Sequence, residues 1–94
     1  MRTRKDERLA TSRAIVVSLP GSDLAATMVD ISRTGCKIEV DTDRVGVGST
    51  VVIEMSGETI ASGEIVWLAQ QECGVAFHRQ ISAEQVDRVA AVIG

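Results

Sequence analysis

Apolar and polar residues alternate with a period of two along most of the chain, which places successive side chains on opposite faces of a strand. Ile15, Val17 and Leu19 share one face over 13–19, and Pro20, Gly21, Ser22 and Asp23 follow as a turn. The spacing predicts a hairpin partner over 24–32, at whose end Val29 and Ile31 fall on one face while Asp30 and Ser32 fall on the other. A short turn at Arg33, Thr34 and Gly35 leads to Cys36, Ile38 and Val40, which alternate with Lys37, Glu39 and Asp41. After a loop containing Gly46 and Gly48, Val51, Ile53 and Met55 form the inward set of a fourth strand, and Ser56-Gly57 signals another hairpin. Residues 58–69 are apolar on both faces, with Gly63 inside the run where a bend is expected. Cys73, Val75 and Phe77 mark a last strand over 72–78.

The period then changes. Ser82 and Gln85 have the spacing of a capping box, and Val86, Val89, Ala90 and Ile93 share one helical face. Six short strands joined by tight turns predict a mainly β fold, a six-stranded antiparallel β-barrel with a short C-terminal α-helix over one open end. Residues 1–12 carry no sustained apolar period and read as a flexible basic N-terminal arm, leaving 13–94 as the barrel domain. Ninety-four residues suffice for one core. That core must be aliphatic, because the chain has one Phe, one Trp and no Tyr.

Charge divides the chain. Residues 1–13 hold five basic side chains against two acidic ones, a balance of +3, whereas residues 14–94 hold five against eleven, a balance of -6. An acidic body argues against a nucleic-acid polymer, which needs a broad basic surface. No apolar run approaches the roughly 18 residues of a membrane span and no secretion signal opens the chain, so a cytoplasmic location is expected. Cys36 and Cys73 are too far apart in sequence to suggest a metal site and read as buried thiols, with a disulfide as the minor alternative. No cofactor is implied.

Catalytic constellations are not evident. His78, the single histidine, ends a strand with no nucleophile spaced for it, and Gly46-Val47-Gly48 lacks the spacing and following helix of a phosphate loop. The chemistry concentrates elsewhere. Arg4 and Arg8 supply two planar forks suited to phosphate and to the guanine O6/N7 edge, while Asp30 can accept from the N1 and N2 donors of the same base. Ser32 adds a hydroxyl, and Gly35 permits a tight turn or close backbone approach.

The chain resembles the PilZ domain family, bacterial receptors for the second messenger cyclic di-GMP. The resemblance rests on an RxxxR motif, Arg4-Lys5-Asp6-Glu7-Arg8, followed by a [D/N]xSxxG motif, Asp30-Ile31-Ser32-Arg33-Thr34-Gly35. It extends through GEIVW at 63–67 and GVAF at 74–77. It implies a PilZ barrel without enzymatic activity, with Arg4, Lys5, Arg8, Asp30, Ser32 and Gly35 around the ligand and Arg13, Arg33 and Trp67 as second-tier candidates. It also implies a separate effector protein as partner, in motility, biofilm or exopolysaccharide control as a class, for a monomer or weak homodimer. The alternative is a ligand-independent docking module whose basic arm contacts an acidic partner, favoured by Asp6 and Glu7 between the arginines.

Overall fold

A computed structural model of the chain describes residues 7–91. Six strands run β1 (Leu9–Leu19), β2 (Ser22–Ile31), β3 (Gly35–Glu39), β4 (Thr50–Met55), β5 (Glu58–Ala69) and β6 (Glu72–Phe77), followed by one helix, α1 (Ala83–Ala90). They close into an antiparallel barrel in the order β1-β2-β3-β6-β5-β4. Hairpins join neighbours where the turn chemistry allows it: Ser56 and Gly57 both take positive φ, the conformation of a two-residue turn whose twist matches its strands.

Ile15, Val17, Ile38, Val51, Ile53 and Ile65 are among the side chains that fill the barrel, and all are buried. The expected aliphatic core is therefore present. Val86 and Val89 of α1 join it as the helix packs against β1 and β2. The Ser82 hydroxyl accepts from the Gln85 amide at 3.0 Å, which satisfies one of the free N–H groups of the first turn. At the other end the Arg13 guanidinium donates to the Ala91 carbonyl at 2.6 Å. Ile93, expected on the same helical face, lies outside the described residues.

Two strands depart from simple alternation. β1 starts at Leu9, before the apolar alternation becomes regular, because Leu9 and Ala10 pair with Ile31 and Asp30 of β2 across a register shift that precedes Arg13. In β2, Val29 is an extra residue relative to β3, where Met28 pairs with Ile38 and Asp30 with Lys37, while on the other side Thr11 and Ser12 of β1 stand opposite this single residue. This bulge changes the inward pair from the expected Val29 and Ile31 to Met28 and Ile31, both fully buried. Asp30 remains on the outer side. In β5, register shifts fall between Thr59 and Ala61 and between Ile65 and Trp67, on either side of Gly63. Gly63 itself is required by contact, since a Cβ there would collide with the Ala76 carbonyl of β6.

Candidate functional site

Arg8 of the basic head and Asp30 near the end of β2 meet on the barrel surface. Arg8, just before β1, donates through Nη1 to Asp30 Oδ1 at 2.8 Å, joining positions 22 residues apart. The pairing of Ala10 with Asp30 brings Arg8 to this carboxylate. The same oxygen accepts the Lys37 backbone N–H at 3.1 Å, which fixes the carboxylate against β3. The Arg8 side chain is 49% exposed and that of Asp30 19%, so the pair lies open to a ligand. Arg4 and Lys5 lie outside the described residues.

The turn after Asp30 is built from within. Ser32 is fully buried, and its hydroxyl oxygen lies 3.2 Å from both the Thr34 and the Gly35 amide nitrogens, which donate to it. Its own backbone N–H donates to the Gly35 carbonyl at 2.8 Å. The hydroxyl thus holds the loop's shape. Gly35 is required by a close approach of strands, because a Cβ there would overlap the Val75 carbonyl. Arg33 anchors the loop from outside: its Nε donates to the Ile81 carbonyl at 3.0 Å, and its carbonyl accepts the Ile81 N–H at 2.9 Å. Arg33 and Arg13 are therefore engaged by the C-terminal segment and are not gathered around Asp30.

Cross-strand pairing extends the site sideways. Asp30 pairs with Lys37, Lys37 with Gly74, and Gly74 with Trp67, forming one row across β2, β3, β6 and β5. Three strand spacings of about 4.8 Å separate its ends, ~14 Å in all. The Trp67 indole lies against Gly74 so closely that a Cβ there would sit within the ring, and the side chain remains 39% exposed. Lys37 is the member that sequence reasoning missed. Its alternation with Ile38 marks it as outward, but its place beside Asp30 depends on the Val29 bulge.

Beneath the row lies Cys36, whose thiol is pushed up to about 12 by burial, with Cys73 and Asp30 adding to the shift and Arg8 opposing it. Burial pushes Cys73 up to about 11. Both cysteines are free, as expected of buried thiols. Among the described residues no group of three His, Cys, Asp or Glu side chains could hold a metal ion, and no helix is long and apolar enough to cross a membrane. His78 is exposed beside Ser62 and Arg79, at some remove along the chain from the Arg8–Asp30 pair.

The family model of the PilZ domain matches residues 2–93. The chain belongs to the PilZ domain family. This membership agrees with the closed six-stranded barrel and with both quoted motifs, and PilZ domains are a receptor family for cyclic di-GMP rather than a family of catalysts. No curated protein matches the sequence. In this PilZ barrel, the first motif's second arginine and the second motif's leading aspartate are in direct contact.

Proposed function

We propose that this PilZ domain is a cyclic di-GMP receptor that relays binding to a separate effector protein. The observation that carries the reading is the 2.8 Å contact between Arg8 and Asp30, which unites the two motifs on an open surface. An exposed ion pair contributes only about 0–1 kcal/mol, so a ligand offering phosphate to the arginine and guanine donors to the carboxylate can replace it. Asp30 accepts from guanine N1 and N2, while Arg8, joined by Arg4 and Lys5, holds phosphate or the guanine O6/N7 edge. Ser32 and Gly35 serve by holding the turn in shape. Lys37 adds charge beside Asp30, and Trp67 offers an exposed ring at the far end of the row.

A basic head on an acidic body suits this task, since a small ligand with two phosphates needs positive charge at one place only. Closure of the head over the nucleotide would alter the surface that an effector meets, in motility, biofilm or exopolysaccharide control as a class. The direct pairing of Arg8 with Asp30, which gives each charge a partner within the chain, favours one other reading, a docking module that needs no nucleotide. Binding measurements on Arg8→Ala and Asp30→Ala separate the two. Each substitution is expected to weaken cyclic di-GMP binding by about 1–3 kcal/mol while the barrel's circular dichroism is unchanged. Unaltered affinity in both variants would sink the receptor reading.

A further inference from the structure

The helix α1 is too short to be ordered by itself. Isolated helices below about 12–15 residues are marginal in water, and α1 has 8, so its order comes from docking on the barrel. Docking buries Val86 and Val89 completely, with Ile81 and Ala90 packed against the same core. Arg88 also approaches Glu58 at 3.7 Å, but both side chains are well exposed and such a pair adds little. A short element held in this way opens as a local unit, with a free energy well below that of the whole barrel. Whatever fastens its ends shifts that equilibrium.

The fastenings come from the two strands that carry the motifs. At the N-terminal end, Ile81 precedes the Ser82 cap and is held twice by Arg33, a member of the Asp30–Gly35 motif. The part-buried Arg33 Nε donates to the Ile81 carbonyl at 3.0 Å, and the Arg33 carbonyl accepts the Ile81 N–H at 2.9 Å. The Phe77 N–H donates to the Thr34 carbonyl at 2.8 Å, so the chain leading into α1 is joined to the motif turn at two successive residues. At the C-terminal end, Arg13 of β1 donates to the Ala91 carbonyl at 2.6 Å.

The motif turn thus has two supports. From within, the Ser32 hydroxyl accepts the Thr34 and Gly35 amides; from outside, the 77–81 segment holds Arg33 and Thr34. Asp30 and Lys37 flank this turn, and the Lys37 N–H donates to the Asp30 carboxylate, so a turn that loosens also loosens the carboxylate. We infer that docking of α1 and the ordered form of the 30–37 turn favour one another, with Arg33 as the positioning residue that joins them. On the receptor reading, which this extension rests on, a nucleotide that binds the ordered turn also holds α1 on the barrel, because coupling between two sites is reciprocal. The exposed positions of α1, Glu84 and Arg88 among them, then form an ordered surface that reports occupancy to an effector.

Hydrogen exchange on the full chain without nucleotide tests the coupling. Loosening α1 by Ser82→Ala, which removes the cap, or by Val89→Ala, which trims a buried side chain, is expected to speed exchange of the Thr34, Gly35 and Lys37 amides about fivefold or more, with β4 and β5 amides unaffected. In an Arg33→Ala background the same two changes should have less than half that effect on the turn, a non-additivity that a merely local role for the arginine would not produce. Saturating cyclic di-GMP should slow exchange of the 83–90 amides in the wild-type chain about fivefold or more, and less so in Arg33→Ala. Turn amides indifferent to both helix variants, or strictly additive effects of Arg33→Ala, would overturn the inference whatever the chain binds. Bound nucleotide that leaves exchange in α1 unchanged or speeds it would do so equally. A turn that follows the helix in a chain that binds no nucleotide would support the coupling and count against the receptor reading alone.

Discussion

At the scale of single residues, the site depends on a few side chains whose neighbours define their work. Asp30 is held by the Lys37 amide and faces Arg8, so its carboxylate is positioned by the barrel's own contacts. Ser32 and Gly35, which share a motif with Asp30, act on the loop: one by accepting two amides, the other by lacking a Cβ beside Val75. Gly74 has the same kind of role toward Trp67. Gly74→Ala is expected to push the indole off its seat, with a change in tryptophan fluorescence and a stability loss of about 1–3 kcal/mol from overpacking. An unchanged emission spectrum would show that the ring does not rest on that glycine. The sequence made Trp67 visible as the single tryptophan, but its contact with Gly74 depends on a register that no local pattern states.

At the scale of elements, the period-two alternation located five strands, the long apolar run over 58–69 located β5, and the capping spacing located α1. The Ser82→Ala variant tests that cap: removing the hydroxyl that accepts from Gln85 should cost about 0.5–2 kcal/mol in a denaturation experiment. Alternation failed where an extra residue entered a strand. Val29 has the β-branched character of its neighbours, and only its pairing partners reveal that it belongs to a bulge. Legibility of the site followed the same division. Arg8, Asp30 and the turn were readable from side-chain chemistry and spacing, whereas Lys37 needed cross-strand pairing, which is set by the whole barrel. The early start of β1 at Leu9 escaped notice because Ala10, Thr11 and Ser12 offer no apolar stripe, and the pairing of Leu9 and Ala10 with β2 supplies the order that their pattern lacks.

At the scale of the whole molecule, an aliphatic core inside a closed barrel encloses two thiols. Their pKa values are raised from the ordinary 9.0 to about 12 for Cys36 and about 11 for Cys73, so folding favours the neutral form. The resulting stability is fully present below about pH 9 and is lost as pH rises through the raised values. Thermal melts should therefore fall progressively from about pH 9 upward, and a thiol reagent at pH 8 should label both cysteines only after urea unfolds the chain. Rapid labelling of the native protein would contradict their burial. Charge is also divided along the sequence at this scale, with a balance of +3 over residues 1–13 and -6 over residues 14–94.

Isothermal titration of the purified chain with cyclic di-GMP, with GTP as the control ligand, tests the receptor reading most directly. Saturable heat with cyclic di-GMP and none with GTP is the predicted result. Absence of heat with cyclic di-GMP, together with no competition at high ligand concentration, would contradict it and leave the Arg8–Asp30 surface to a docking role.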